Sequence, residues 1–239
     1  MKAWQKIFFI IIFLATLSSY ADENIVYHNN QQWGQYYLKL KISNKFNLLS
    51  DVGFRVKESF KLKSQYIARS ALGYKLNENI SLGLGFAHLG DYSNNVINKL
   101  EYRPYQELLI NNQCKRLNFS NRVRIEERIF NSFSSGITNV IRFRYRLMFN
   151  YPIFFNKAKG NKIQLNLGDE IFYNAANQFY GNIFNQNRVL AGITYHINKN
   201  TTIDFMFNFQ DKSLRKENEY QHDTILWLGI KQSFVLYKN

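Results

Sequence analysis

Asn121 to Phe130 reads NRVRIEERIF, and Arg142 to Phe149 reads RFRYRLMF. In the first stretch Arg122, Arg124, Glu126 and Arg128 occupy every second position, with Val123, Ile125 and Ile129 between them. In the second, Arg142, Arg144 and Arg146 alternate with Phe143, Tyr145 and Leu147. A period of two sends successive side chains to opposite faces of an extended strand, whereas a helix would mix the two sets. Each stretch therefore reads as a strand with one charged side and one apolar side.

The same spacing recurs along the chain. Ile80, Leu82, Leu84 and Phe86 oppose Ser81, Gly83 and Gly85. Ile163, Leu165, Leu167, Ile171 and Tyr173 oppose Gln164, Asn166 and Glu170. Ile203, Phe205, Phe207 and Phe209 oppose Thr202, Asp204, Asn208 and Gln210, with Met206 as the exception. Eleven segments qualify, near 31–42, 45–56, 64–75, 80–89, 99–111, 115–130, 138–151, 162–174, 186–196, 201–211 and 220–237. Short polar turns between them interleave with longer connections near 90–98, 174–185 and 211–220. No linker, low-complexity tract or second domain interrupts them.

Residues 1–21 stand apart. Lys2 and Lys6 precede an apolar run from Ile7 to Leu17, and Ser19 and Ala21 supply the small residues of a cleavage site. This is the pattern of a secretory signal peptide, so the expected barrel domain is 22–239. Without Lys2 and Lys6 the chain keeps 29 basic residues against 17 acidic ones, a net charge of +12. For an exported chain such a surplus points to outer-membrane lipid, lipopolysaccharide and small anionic solutes, not to nucleic acid. Cys114 is the sole cysteine, which excludes an internal disulfide framework.

A soluble β-sandwich also alternates, but its polar faces meet water and carry Lys, Thr and Ser. Here the apolar faces are rich in Phe, Tyr and Leu, and the polar faces carry Arg with Glu or Asp. Arg forms planar, bidentate bonds with carboxylates, which suits an enclosed space where charge must be matched. The expected fold is all-β, a single antiparallel transmembrane β-barrel of about twelve strands, with ten as the alternative. Eleven strands leave the count odd, and residues 23–28 (ENIVYH) are the spare segment for a twelfth. The predicted lumen charge network is Asp51, Arg55, Arg69, Glu101, Arg103, Glu107, Arg122, Arg124, Glu126, Arg128, Arg142, Arg144, Arg146, Glu170, Arg188 and Asp204. Ten arginines against six acids make that lumen basic. Aromatic girdles are expected from Tyr36, Phe46, Tyr74, Tyr102, Phe119, Tyr151, Tyr173, Tyr195 and Phe234. Asn121, Glu127 and Asp169 fall on the apolar side against the pattern, and a bulge is one account of Asp169.

With these residues set out, the chain resembles the bacterial family called domain of unknown function 2490. The resemblance is carried by Trp33, Arg55, EYRPYQEL from Glu101, NRVRIEER from Asn121 and RFRYRL from Arg142. It continues through the Asp169–Glu170 pair before Phe172 and FNQNR from Phe184. It implies an outer-membrane β-barrel of Gram-negative bacteria, and it brings no assigned activity and no catalytic residues.

Three functional classes remain open to such a chain. The first is a narrow, anion-preferring channel or transporter lined by Arg ladders. The second is a closed barrel acting through its extracellular loops. The third is a barrel enzyme modifying lipid or lipopolysaccharide, which needs a Ser or His with a polar partner near the rim. The four histidines are His28, His88, His196 and His222, of which His222 precedes Asp223. Glu126 and Glu170, flanked by Arg, suit ion pairing better than proton transfer. No His, Cys, Asp or Glu set has metal-ligand spacing, and no cofactor motif is present, so neither a metal nor a cofactor is expected.

Overall fold

The computed structural model describes residues 25–156, 161–175, 183–214 and 218–237. The segment read as a signal peptide lies outside them. Among the described residues eleven strands close into one barrel. In chain order they are β1 (Ile25–Lys41), β2 (Phe46–Lys57), β3 (Leu62–Lys75), β4 (Ile80–Ser93), β5 (Val96–Cys114) and β6 (Leu117–Ser132). They continue with β7 (Gly136–Asn156), β8 (Asn161–Asn174), β9 (Phe184–His196), β10 (Thr201–Ser213) and β11 (Glu219–Val235). Each of the eleven segments read from alternation coincides with one of these strands.

The count of twelve does not hold, and neither does ten. No turn parts His28 from Trp33, since the chain runs as one strand from Ile25 to Lys41. Every sequential neighbour pairs antiparallel, so an odd number of strands leaves the first and last pointing the same way. β1 and β11 accordingly pair in parallel, from Ile25 opposite Glu219 to Lys41 opposite Val235. Parallel pairing is slightly weaker per residue than antiparallel, and two features offset this. The ladder extends along all 17 residues of both strands. It also sets like rings side by side, Trp33 against Trp227 at 5.3 Å and His28 against His222 at 5.5 Å.

Two of the longer connections are shorter than the pattern suggests. Around 90–98 the pattern suggests a loop, yet β4 and β5 run on until two residues, Asn94 and Asn95, turn the chain. Both lie in the left-handed region, at φ 50° and 64°. Asn tolerates that region best after Gly, so two in succession make a tight hairpin. β10 likewise extends to Ser213 and β11 starts at Glu219. Residues 176–182 and 215–217, in the other two connections, lie outside the described residues.

The two faces differ sharply. Large apolar side chains point outward and stay exposed, among them Leu84, Ile125, Phe143, Leu167, Phe207 and Leu228. Inside, Ile67, Ala71, Ala87, Leu89 and Tyr105 of β3 to β5 form an apolar cluster with Leu49 against them. Most of the inward charges lie on β5 to β9, with Asp51, Arg55 and Arg69 on β2 and β3. Asp169 needs no bulge, because its register is regular between Leu147 and Val189, and the shift falls at Phe172/Tyr173 instead. It faces outward and accepts a hydrogen bond from Asn187 Nδ2 at 2.9 Å, while Asn121 accepts one from the Tyr145 hydroxyl at 2.7 Å.

Parallel closure has a direct test. Asn30 and Thr224 lie opposite each other on the outer face of β1 and β11. Adjacent strands bring Cα atoms to within disulfide range. In a Cys114→Ser background, Asn30→Cys with Thr224→Cys is expected to oxidise to an internal cross-link visible as a gel shift. Failure to cross-link in the folded barrel would exclude this closure.

Candidate functional site

The site is built by alternation: once one face of each strand turns inward, all its odd or even residues go with it. Glu126 is its centre and is fully buried. Arg142 donates to its Oε2 from Nε at 2.9 Å and Nη2 at 2.5 Å, and Arg144 Nη1 donates to its Oε1 at 2.5 Å. Arg124 Nη1 at 3.5 Å and Arg103 Nε at 3.9 Å complete the ring. One row away, Glu170 Oε1 accepts from Arg122 Nη2 at 2.5 Å and Arg144 Nη2 at 2.8 Å, and Arg188 Nη1 lies 3.5 Å from its Oε2. Arg144 thus joins two carboxylates across neighbouring strands.

Around this pair sit simpler bridges. Glu101 accepts from Arg128 Nε at 2.6 Å and Arg103 Nε at 2.8 Å. Glu107 accepts from Arg124 Nη2 at 2.6 Å. Asp51 accepts from Arg69 Nε at 2.9 Å and Gln35 Nε2 at 2.5 Å. Asp204 accepts from Thr194 Oγ1 at 2.6 Å and pairs with Lys231. Among the described residues Arg55 and Arg146 have no carboxylate within salt-bridge distance. Every residue of the predicted network therefore faces inward, and its pairing is uneven.

Aromatic rings take up part of the positive charge that carboxylates leave. Phe172, almost fully buried, has the guanidinium carbons of Arg144, Arg142 and Arg188 at 4.5, 5.1 and 5.1 Å from its ring centre. Arg55 lies 3.8 Å and Arg188 5.3 Å from Trp33, and Arg124 lies 4.2 Å from Tyr105. Such contacts strengthen when desolvated. Tyr105 can lie flat only because its neighbour on β4 is Gly85, where a Cβ would stand 2.3 Å from the ring.

Several lumen groups escape the sequence pattern. Lys99 pairs with Asp91 at 2.7 Å and Lys212 with Asp223 at 2.6 Å. Gln65 and Gln210 bridge arginines to these same acids: Gln65 accepts from Arg55 and donates to Asp91, and Gln210 accepts from Arg188 and donates to Asp223. The phase of β11 holds the clue, since Asp223 alternates with Ile225 and Trp227. His222 and Asp223 are on opposite faces, so their sequence adjacency makes no pair. His222 Nδ1 instead meets Asp211 Oδ1 outside the barrel. His88 bonds the Tyr66 hydroxyl at 2.9 Å and His196 bonds Gln164 at 3.2 Å. Among the described residues no histidine bonds a serine or threonine. Nor do any three or more His, Cys, Asp or Glu residues there form a group that could hold a metal ion.

One cavity of about 1200 Å³ fills the interior. Its lining runs from Lys199 and Asn200 at one end, past the arginines, to Ser213 and Leu214 at the other.

These features define a closed β-barrel with an apolar exterior and a basic, largely paired lumen. The chain belongs to the family described as Protein of unknown function (DUF2490), which matches residues 30–221. Among solved structures it is similar in fold to the NanC porin, with a TM-score of 0.50 and 14% identity over 77% of this chain and 88% of that one. No curated protein matches it.

The network predicts an asymmetric response to mutation. Glu126→Gln leaves buried guanidinium groups uncompensated and is expected to cost about 3–5 kcal/mol. Glu78→Gln removes an exposed bridge to Lys75 and should change stability by less than about 1 kcal/mol. Urea unfolding of the two variants, tracked by tryptophan emission, measures the difference; equal midpoints would refute the central role of Glu126.

Proposed function

We propose that this protein is an outer-membrane β-barrel that passes small anions through its lumen. The observation that carries the membrane placement is the inversion of burial. Among the described residues, 18 polar or charged side chains are buried against 12 apolar ones, while 44 large apolar side chains are exposed. A water-soluble domain does not expose apolar surface on that scale. A lipid environment removes the cost on the outside, and a water-filled, paired lumen removes it on the inside. The shortest strand has 12 residues, more than the roughly 9–11 that a tilted strand needs to cross. The leader read from residues 1–21 agrees with export.

Anion preference rests on the lumen's charge. Its acids are all engaged, and Arg55 and Arg146 are left without a carboxylate of their own. The cavity of about 1200 Å³ reaches from Lys199 and Asn200 at one end to Ser213 and Leu214 at the other. That volume suits small solutes. The loop-binding alternative loses support where the connection near 90–98 tightens to a two-residue hairpin. The enzyme alternative has a His222–Asp211 pair at the outer surface, but among the described residues no serine or threonine hydroxyl is bonded to it to serve as nucleophile.

Single-channel recording of the refolded barrel tests the reading. Anion-preferring steps are expected, with the preference reduced in Arg146→Gln, which breaks no salt bridge. Arg144→Gln strips both Glu126 and Glu170 of a partner and is expected to lower the yield of folded barrel instead. A silent bilayer with folded protein, shown by heat-modifiable gel mobility, would overturn anion passage.

A further inference from the structure

Arg55 and Arg188 differ from the other lumen arginines in how they are held. Both lie against Trp33, the first at 3.8 Å and the second at 5.3 Å from the ring centre. Neither has a close carboxylate of its own. Arg55 gives one hydrogen bond, from Nη1 to the Gln65 amide oxygen at 2.5 Å. Arg188 gives its Nε and Nη2 to the Gln210 amide oxygen at 3.1 and 2.7 Å, and meets Glu170 only at 3.5 Å. Glu170 is already bonded more closely by Arg122 and Arg144.

The amides act as spacers. Behind Gln65 stands Asp91, and behind Gln210 stands Asp223. Each of those acids is neutralised by a lysine, Lys99 and Lys212 respectively. A neutral amide accepts a guanidinium hydrogen bond but supplies no negative charge. An indole ring offers only the modest attraction of its quadrupole. Arg55 is therefore held in place by groups that satisfy its geometry and leave its charge uncompensated, and Arg188 shares a carboxylate that two other arginines bond more closely. A third observation comes from beside them. Trp227, edge-on to Trp33, has a buried indole Nε1 with no hydrogen-bond partner, and the fully buried Asn208 leaves both side-chain amide atoms without one. Arg55, Arg188, Trp33 and Trp227 all line the cavity.

We infer that this corner of the lumen is a binding site for a small oxyanion, a carboxylate or a phosphate. Arg55 is its primary ligand, Arg188 its second cation, and Trp33 the platform that orients both. A planar guanidinium with unused N–H groups matches the paired oxygens of either anion, and charge-assisted bonds of this kind are the strong ones. A spherical halide cannot use the fork in the same way. The inference deepens the anion-passage reading by placing where a solute pauses, and it is tested without conductance.

Apart from Trp4 in the leader, the tryptophans of the chain are Trp33 and Trp227, so their emission reports on the site directly. The folded barrel in neutral detergent is titrated at constant ionic strength with sodium phosphate, with sodium acetate and with sodium chloride. A saturable change in emission with phosphate or acetate is expected. In Arg55→Gln the apparent affinity should fall about ten-fold or more, the loss of one charged hydrogen-bonding partner. Arg55→Lys, which keeps the charge without the fork, should weaken binding too. Lys199→Gln, at the far end of the cavity, should leave it unchanged. Should Arg55→Gln not fold, Arg188→Gln tests the same site. A response to phosphate alone or acetate alone identifies the oxyanion. No saturable response to either, an equal response to chloride, or wild-type titration in the arginine variants would overturn the site. Saturation in a barrel that is silent in bilayers keeps the site and removes anion passage; conductance steps without saturation do the reverse.

Discussion

The burial of guanidinium and carboxylate groups together inside a closed sheet is the constraint on which the structure depends. A lone charge in such a place is prohibitively costly, and two charges are tolerable only with close geometry and satisfied lone pairs. Glu126 meets that demand with four arginines from β5, β6 and β7, and Glu170 with three from β6, β7 and β9. These contacts exist only in the correct register, because a slip of one residue would turn every charge outward and every Phe and Leu inward. The polar network therefore selects the register that the apolar face alone would leave loosely specified.

Both sides of the lumen solve the space problem with small residues beneath long ones. On β3 and β4 several inward positions are small, among them Ala71, Ala87, Gly83 and Gly85. Long side chains from β5 fold over them: Tyr105 over Gly85 and Glu107 over Gly83. On β8 and β9, Gly168 and Gly192 serve in the same way beneath Met148 and Met206. That explains why Met206 breaks the polar phase of its strand. An unbranched, polarizable side chain fills the gap over a glycine without adding a charge that would need a partner.

Strand positions and facing are legible in the sequence because period two is a local property. What a residue meets across the barrel is not local. Arg55 looks like the arginines of NRVRIEERIF and RFRYRL, and only register reveals that Trp33 and Gln65 stand beside it instead of acids. Arg146 has Glu170 opposite it in the ladder, yet the Glu170 oxygens are taken by Arg122, Arg144 and Arg188. The Gln relays are invisible for the same reason, since amides carry no charge pattern. Asp223 is legible in principle, being in phase with Trp227, but its adjacency to His222 suggests a pairing that a strand forbids. The count of twelve fails because ENIVYH is not a separate element: Asn29 to Gln32 continue the strand instead of turning it. The connection near 90–98 is shorter than its polar composition suggests, because Asn94 and Asn95 can reverse a chain in two residues.

Closure and lumen chemistry meet at one residue. A parallel seam is slightly less stable per residue than its antiparallel neighbours, so its register depends more on side chains. Parallel pairing sets residues of the two strands side by side in equal phase, and here the pairs that result are Trp33 with Trp227 within and His28 with His222 without. Trp33 is then fixed from one side by Trp227 and from β2 by Arg55, its direct neighbour in the ladder. A twelfth strand between β1 and β11 would part the two tryptophans and disconnect the Arg55 corner from β11. The odd count thus has a consequence beyond topology: it brings the first and last strands into one wall of the cavity. Arg55, which among the described residues has no carboxylate within salt-bridge distance, stands against that wall.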